Sequence, residues 1–374
     1  IDLEVDTEDV EEFFNSVRVL GKSFGGINLE DIKAPECFII EQKLKESLDI
    51  PVFHDDQHGT AIISLAGLLN ALHLTDRDIR KTRVVVNGAG AAAIAGVELF
   101  KALGMPHKNV IMCDSNGVVY KGRKEGMNQW KSAHAVDTEY RTLKEAAENS
   151  DVLMGLSIKG AFSKKIISSM AKDPIIFAMA NPDPEITPEE VKKIRADAIM
   201  ATGRSDYPNQ VNNVLGFPYI FRGALDVRAS EINDTMKISA AHAIALLARE
   251  DVPDEVSAAY GKSLQYGRDY IIPAPFDPRL IVKVSTAVAK AAMDTGVAKK
   301  PIEDFDKYER DLSARLNPTA NSLSGIYARI RQAPKRVVFA EGEEERVIRA
   351  AISFMSSGYG QPILIGREDI VKAS

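Results

Sequence analysis

The chain has 374 residues, of which 45% are hydrophobic and 27% charged, a composition typical of globular proteins with two or three domains. Its net charge of −6 argues against a nucleic-acid-binding protein, which would carry a basic patch. Because only two cysteines occur and no apolar run reaches the roughly 18 residues of a membrane span, we expect a cytoplasmic protein without disulfides or a membrane segment.

The region up to about residue 76 is predicted to combine short strands with three helices. Residues 1–6 alternate apolar and acidic side chains, which predicts a strand. Because this pattern starts without a methionine or a signal peptide, we expect natural sequence upstream of it. Helices are expected over residues 8–20 and 35–48, a strand over 50–53, and a third helix from residue 54 onwards. The apolar residues of that helix recur at the spacing of one buried face: Ile62, Leu65, Ala66, Leu69 and Leu72.

The segment from residue 82 to residue 206 alternates short β-branched runs with helical stretches, the pattern of a parallel sheet with crossover helices. The predicted strands cover residues 83–87, 110–113, 152–154, 175–178 and 199–201. A glycine-rich or polar turn follows each strand, so all these turns should lie at the carboxyl edge, where such sheets bind ligands. The sequence therefore predicts an α/β protein with a doubly wound dinucleotide-binding domain.

The rest of the chain is predicted to contain a helical region followed by the start of a second α/β unit. Residues 207–300 are typical of helices interrupted by prolines, and the charged residues 301–334 are expected to form a linker. Strands over residues 336–340 and 362–366, with a helix between them, start a second α/β unit. About forty residues are too few for an independent domain of this kind, so we expect only its beginning.

The turn after the first strand of the predicted sheet carries a dinucleotide-binding motif. Gly88-x-Gly90-x-x-Ala93 lies between a predicted strand and a predicted helix, where backbone amides can bind a pyrophosphate. The competing interpretation, a tight turn made of small residues, is disfavoured by the strand, the helix and the acid further on. The expected cofactor-binding residues of this turn are Gly88, Ala89, Gly90, Ala91, Ala92 and Ala93.

Asp114 ends the second predicted strand, where a carboxylate accepts hydrogen bonds from the adenosine ribose of NAD. Three basic residues follow: Lys121, Arg123 and Lys124. They could neutralise the 2′-phosphate of NADP or simply form a solvated surface. At this point the choice between NADP and NAD is open.

Two acidic pairs, Glu30-Asp31 and Asp55-Asp56, supply the hard oxygen ligands that Mg²⁺ and Mn²⁺ prefer. Paired carboxylates on a surface are usually inert, but the second pair follows a buried strand and is therefore expected to point inward. His54 and His58 have the spacing of a zinc motif without its helical face, so we expect structural roles for both.

Asn181 and the pair Asn212-Asn213 lie in the segments that follow the last two predicted strands. Their amides can reach a carboxylate or a carboxamide at the edge of the sheet. Asparagine is also common in turns, and residue type alone favours neither ligand binding nor turn formation.

Several runs of this sequence resemble the malic enzymes: FGGINLED at residues 24–31, FHDDQHGT at 53–60, VNGAGAA at 86–92, ANP at 180–182 and QVNN at 210–213. The resemblance covers residues 1 to about 300. The run RVVFAEGE at residues 336–343 is similar to the opening of a phosphotransacetylase-type domain. This combination is that of the large hybrid malic enzymes, which are usually NADP-linked.

The resemblance implies oxidative decarboxylation of (S)-malate to pyruvate and CO₂, with reduction of NADP, or alternatively NAD, and with Mg²⁺ or Mn²⁺. It makes Glu30, Asp31 and Asp56 the metal ligands, and Asn181 and Asn213 the contacts to malate. It assigns Asn212 to the cofactor, so the expected cofactor-binding residues outside the glycine-rich turn are Asp114, Ser157, Asn181 and Asn212. The family's catalytic lysine base and tyrosine acid are expected upstream of residue 1, so residues 1–374 alone should bind nucleotide but turn over malate poorly.

The implied domains are the end of a metal- and substrate-binding domain (1–54), an NAD(P)-binding domain (55–300, core about 82–206), the linker, and a phosphotransacetylase-like start (335–374). A homo-oligomer is expected. Two alternatives stay open: a hydroxy-acid dehydrogenase that does not decarboxylate its substrate, and a C-terminal module that senses acetyl-CoA. A dehydrogenase of that type would need a histidine base at the carboxyl edge, and the sequence places none there.

Overall fold

The computed structural model describes residues 1–261, 263–316, 326 and 329–373, and it divides into two compact units, residues 1–305 and 306–374. The helices of the first unit are α1 (Val10–Gly21), α2 (Glu36–Ser47), α3 (Asp55–Leu74), α4 (Ala91–Ala102), α5 (Gln129–Ser132), α6 (Leu143–Ala147), α7 (Lys164–Ser169), α8 (Pro188–Ile194), α9 (Phe217–Asp226), α10 (Asp234–Arg249), α11 (Asp254–Ala259) and α12 (Leu280–Asp294). Its strands are β1 (Ile27–Leu29), β2 (Val52–His54), β3 (Val84–Asn87), β4 (Val110–Asp114), β5 (Gly117–Val118), β6 (Val152–Gly155), β7 (Ile175–Ala178) and β8 (Ile199–Thr202).

The main sheet has the strand order β5-β4-β3-β6-β7-β8. All its strands run parallel except β5, which pairs antiparallel with β4. One face is covered by α6, α7 and α8, and α3 packs on the other, where Gly67 lies against the ring of Phe177. Strands covered on both sides are apolar, as predicted, except at their carboxyl ends, which carry Asn87, Asp114 and Thr202. The doubly wound fold is confirmed, and the order reverses at β3, so the ligand crevice should lie beside the carboxyl ends of β3 and β6.

A separate parallel pair, β1 and β2, positions the two acidic segments. Leu29 at the end of β1 lies opposite His54 at the end of β2, so the residues that follow leave the pair side by side. By contrast, residues 1–9 form neither strand nor helix, and the strand predicted over residues 1–6 is wrong. Alternation of apolar and polar residues produces a strand only when a neighbouring strand supplies hydrogen-bond partners, and none in the described part of the chain pairs with this segment.

The helix α3 begins at Asp55, as predicted, but the prediction of one buried face is wrong. Leu69, placed on that face, is only partly buried, whereas Ile63 and Leu68 on other sides of the helix are fully buried. The reason is its central position, because α3 packs against both α4 and α10 as well as the sheet. A helix enclosed on most sides is apolar all round, so its sequence does not reveal a single buried face.

The second unit contains a parallel pair, β9 (Lys335–Phe339) and β10 (Gly360–Leu364), joined by α14 (Glu345–Ser356). This confirms the predicted strand-helix-strand unit. The helix α13 (Phe305–Leu316) precedes it and α15 (Glu368–Ala373) follows it in sequence. The linker expected over residues 301–334 stays a prediction, since its described part contains α13 and part of it lies outside the described residues. Every helix in the described ranges is too short or too polar to cross a membrane.

Candidate active site at the carboxyl edge

A cavity of about 300 Å³ lies at the carboxyl edge of the main sheet, among the residues that follow β3, β6 and β7. It is lined by Gly90, Ala91, Ala92, Ala93, Leu156, Ser157, Met179, Ala180 and Asn181. Most of the predicted cofactor-binding residues are therefore brought together. The remaining four, which lie outside the lining, are Gly88, Ala89, Asp114 and Asn212.

The turn from β3 into α4 has the geometry of a phosphate cradle. Gly88 has a φ of +146°, and a Cβ at this position would lie only 2.6 Å from the carbonyl oxygen of Leu156. Only glycine therefore allows the backbone to pass so close to the loop after β6. Gly90 is the N-cap of α4 and has no side chain to cap the helix. The first backbone N–H groups of α4 are thus left for an anionic ligand, which the helix dipole also favours.

The carboxylate of Asp114, at the end of β4, is hydrogen-bonded to two cations. Arg123 Nη2 donates to both carboxylate oxygens at 2.7 Å, and Lys131 Nζ donates to Oδ2 at 2.9 Å. Burial raises the pKa of Asp114, but the bonds from Lys131 and Arg123 outweigh it and hold the pKa below its ordinary value. Of the three basic residues considered from the sequence, Lys121 and Lys124 are exposed and only Arg123 contacts this carboxylate in the described structure. The second cation, Lys131, was missed.

The two acidic segments meet beside β1 and β2. The backbone N–H of Asp31 donates to Oδ2 of Asp56 at 2.8 Å, and Asn28 Nδ2 donates to the carboxylate of Glu30 at 2.5 Å. Asp55 is buried, as expected, but the side chain of Asp56 is 49% exposed, so the expectation that both point inward is wrong for Asp56. Successive residues of a helix point about 100° apart, so one of the pair faces the core while the other faces the open side.

Asn213 connects the segment after β8 to this acidic cluster. Its Nδ2 donates to the carbonyl oxygen and to Oδ2 of Asp55, both at 3.2 Å, while Thr60 Oγ1 donates to its Oδ1. Burial raises the pKa of Asp55 to about 6, against the opposing hydrogen bond from Asn213. Asn181 is exposed at the cavity, whereas the side chain of Asn212 accepts a hydrogen bond from the N–H of Val214. The predicted asparagines therefore lie in three different environments.

The two histidines next to the acidic segment have separate contacts in the fold. His58 Nε2 is 2.7 Å from Oε1 of Glu41, a buried residue of α2. Burial, together with the nearby Lys237 ammonium, lowers the pKa of His58 to about 4. His54 is fully buried, with Nδ1 3.8 Å from the carboxylate of Asp56. The structural role expected for His58 is thus accounted for by its contact with α2.

The acidic cluster fits a hard divalent cation by its chemistry. Glu30, Asp31 and Asp56 offer carboxylate oxygens, the ligands that Mg²⁺ and Mn²⁺ prefer, and Asp31 and Asp56 are already in hydrogen-bond contact. Over the described ranges, no three acidic, histidine or cysteine side chains are arranged to hold a metal. The identity of the ligand set is therefore still a prediction.

Two residues behind the cavity lining were also missed from the sequence. Asn87 Nδ2 donates to Ser157 Oγ at 2.8 Å, and Glu185 accepts hydrogen bonds from the loops after β6 and β7. Asn87 ends a predicted strand directly before the glycine motif, and that position was a usable signal. Glu185 offers no such signal, because its complete burial is evident only in the folded chain.

Residues 57–259 match the family model described as malic enzyme, NAD binding domain, which covers more than half of the chain. The chain belongs to the malic enzyme family. Residues 322–374 match the model of the phosphate acetyl/butaryl transferases. The two matches confirm the hybrid arrangement, a malic enzyme followed by a phosphotransacetylase-like segment.

Individual malic enzymes agree with this assignment. The chain is 66% identical over 373 residues to an NADP-dependent malic enzyme of Rhizobium meliloti and 48% identical over 373 residues to an NAD-dependent one from the same strain. These alignments cover 100% and 99% of the chain but 49% and 48% of the relatives, so the chain spans about half the length of the curated relatives it matches. The crystal structure of malic enzyme from Pyrococcus horikoshii superposes with a TM-score of 0.77 at 37% identity, covering 88% of this chain and 75% of that one.

Proposed function

We propose that this chain is the dinucleotide- and metal-binding part of an enzyme that converts (S)-malate to pyruvate and CO₂ while it reduces NADP. The observation that carries the proposal is the cavity between the start of α4 and Asn181. The acidic cluster, which Asn213 joins to the segment after β8, adds the carboxylates for a metal. The proposal is also supported by two similar proteins of Rhizobium meliloti, which are an NADP-dependent and an NAD-dependent malic enzyme.

In this proposal some residues of the chain bind the cofactor and the metal, and others orient malate. The backbone N–H groups at the start of α4 would bind the pyrophosphate of the dinucleotide, and the dinucleotide would supply the hydride acceptor for C2 of malate. Asn181, exposed at the cavity, would donate a hydrogen bond to a carboxylate of malate and so orient C2 towards the cofactor. Asn213 would contact malate once its Nδ2 gives up a hydrogen bond to Asp55. Glu30, Asp31 and Asp56 would hold a divalent cation, which would supply Lewis-acid polarisation of the C2 oxygen and so favour loss of CO₂ from C4.

We propose NADP rather than NAD because the carboxylate of Asp114 is already fully engaged. It accepts four hydrogen bonds, two from Arg123, one from Lys131 and one from the backbone N–H of Asn116, which is about the capacity of a carboxylate. It therefore has no free acceptor for a ribose hydroxyl. Two cations on one anion also leave a net positive charge, which favours a 2′-phosphate.

Two further expectations stay predictions. No residue between 1 and 374 is assigned as the general base or general acid, the lysine and tyrosine expected from the family resemblance. Binding of acetyl-CoA by the phosphotransacetylase-like segment has no support in the described contacts. Calorimetric titration of acetyl-CoA into the full-length protein would decide it, and the absence of heat would exclude a sensing role.

The proposed activity is tested by initial rates of NADP reduction in the full-length protein with (S)-malate and Mn²⁺. We expect the rate to vanish when EDTA removes the metal, to return when Mn²⁺ is restored, and to be lower with NAD at the same concentration. Asp56→Asn should raise the Mn²⁺ concentration that gives the half-maximal rate. The matched control is Asp49→Asn, an exposed carboxylate outside the acidic cluster, which should behave as wild type. NADP reduction that is unchanged by EDTA would contradict the proposal.

A further inference from the structure

A single buried carboxylate joins the two loops that line the cavity. Glu185 lies in the segment after β7 and is fully buried. Its Oε1 accepts hydrogen bonds from the backbone N–H of Ser157 at 2.9 Å and from the Ser157 hydroxyl at 3.2 Å. Its Oε2 accepts one from the backbone N–H of Ala180 at 3.0 Å. One side chain thus fixes the loop after β6 relative to the loop after β7.

The end of β6 is shaped to admit this carboxylate. A Cβ on Gly155 would lie 2.3 Å from Cδ of Glu185 and 2.5 Å from its Oε1. Any side chain at this position would therefore displace the carboxylate from both loops. Glycine is required here because a side chain would clash with Glu185, whose carboxylate lies directly against the end of β6.

The hydrogen bonds of Glu185 require an acceptor at both oxygens. Burying a carboxylate away from water is costly unless its oxygens are hydrogen-bonded, and here the partners in the described structure are two backbone N–H groups and a hydroxyl. An amide in place of the carboxylate could accept at only one of its two positions, so it would leave the N–H of Ala180 or that of Ser157 facing another donor. The arrangement is therefore specific for a carboxylate.

The same network reaches a third strand. Ser157 Oγ donates to Glu185 and accepts a hydrogen bond from Asn87 Nδ2 at 2.8 Å. Asn87 ends β3, immediately before the glycine turn of the phosphate cradle. The network therefore links the ends of β3, β6 and β7, the three neighbouring strands around the cavity.

We propose that Glu185 is a positioning residue for the nicotinamide half of the dinucleotide. Asp114 at the end of β4 marks the adenosine side, and the start of α4 receives the pyrophosphate. The loops after β6 and β7 lie on the other side of β3 and are left for the nicotinamide half. This inference rests on the dinucleotide binding proposed above, and it adds that the geometry of one half of the site depends on a residue that does not line it.

The chain offers a matched control for this role. Asp183 joins the same two loops through an ion pair with Lys159 at 3.0 Å, but both side chains are exposed, 42% and 75% respectively. Exposed ion pairs contribute little to stability. Asp183→Asn should therefore leave the loops in place, whereas Glu185→Gln should not.

The test is calorimetric titration of the full chain with two probes, NADP and 2′,5′-ADP, which contains only the adenosine half. For Glu185→Gln we expect the Kd for NADP to rise about tenfold, the effect of losing roughly one charge-assisted hydrogen bond, while the Kd for 2′,5′-ADP changes less than about twofold. Asp183→Asn should bind both probes like wild type. Glu185→Asp, which keeps the charge but is too short to reach both loops, should show the same split if Glu185→Gln does not fold.

Three outcomes would overturn the role of Glu185: an unchanged Kd for NADP in a folded variant, equal weakening of both probes, or failure of both Glu185 variants to fold. Equal weakening would mean that the whole domain is loosened, and a failure to fold would mean a structural role only. If the wild-type chain bound neither probe, dinucleotide binding itself would be excluded. The two proposals therefore fail in different ways.

Discussion

At the scale of single residues, Arg123 and Lys131 both donate hydrogen bonds to the carboxylate of Asp114, but the fold holds the two side chains to different extents. Arg123 donates to Asp114 and also to the carbonyl oxygens of Gly117, Val118 and Glu125, and its side chain is only 4% exposed. Lys131 donates to Asp114 and to one carbonyl oxygen, is 19% exposed, and has three N–H donors in all. Arg123 is thus fixed within the fold, and Lys131 is the cation that can reach a 2′-phosphate.

Lys131→Gln is therefore expected to weaken the binding of NADP but not that of NAD. Loss of one charged contact to the 2′-phosphate should raise the KM for NADP roughly tenfold and leave the KM for NAD within about twofold. Steady-state rates with each cofactor measure this split. Lys121→Gln, at an exposed lysine of the same segment, is the control and should change neither value. An equal rise in the KM values for NADP and NAD would show that Lys131 stabilises the fold rather than binding the 2′-phosphate.

The two cysteines should be inert in the folded chain. Burial raises the pKa of the Cys37 thiol to about 11 and that of the Cys113 thiol to about 12, so almost no thiolate exists near neutral pH. Labelling with a thiol reagent at pH 8 should proceed only after the chain is unfolded in denaturant, where both should react. Rapid labelling of either thiol under native conditions would contradict the burial of these side chains.

Residue roles that depend on a local motif were predictable from the sequence, and those that depend on packing were not. The motif from Gly88 to Ala93 could be found because its spacing is local and its flanking elements are distinct. Lys131 could not, because the turn that returns it to Asp114 has no sequence signature of its own. The exposure of Asp56 was also missed, since a buried strand fixes the direction of the chain but not that of each following side chain.

At the scale of elements, one glycine in the turn from β3 into α4 and one glycine inside α4 are expected to affect stability in opposite directions. Gly88→Ala should destabilise the fold by about 2 kcal/mol, because a Cβ would clash with the loop after β6 in a backbone conformation that side chains rarely adopt. Gly96→Ala, inside α4, should stabilise it by roughly 0.5 kcal/mol, because a Cβ there meets nothing within 4 Å and alanine favours a helix. Urea unfolding measures both, and a stable Gly88→Ala variant would contradict the geometry of the turn.

The elements of the main sheet were predictable because buried parallel strands are short apolar runs separated by helices. The prediction failed for residues 1–6 and for the buried face of α3, where the environment rather than the local pattern decides. The short antiparallel strand β5 was also not predicted. It has two residues and pairs only with β4, so it is too short to produce a pattern.

At the scale of the whole molecule, the fold positions the proposed chemistry by parallel geometry. Parallel strands bring their carboxyl ends to one edge, so residues distant in sequence, such as Gly90, Ser157 and Asn181, meet at one cavity. The pairing of β1 with β2 does the same for the acidic segments. The domain boundaries and the homo-oligomer expected from the family resemblance stay predictions, and sedimentation equilibrium of the full-length protein would test the oligomer.

The most direct test of the central claim is the fate of C4 of malate. With [4-¹³C]-(S)-malate, NADP and Mn²⁺, the full-length protein should release the label as CO₂ and bicarbonate in step with NADPH formation, leaving unlabelled pyruvate. A dehydrogenase that does not decarboxylate its substrate would instead keep the label in oxaloacetate. Carbon-13 NMR of the reaction distinguishes the two, and stoichiometric labelled oxaloacetate would contradict the proposed function.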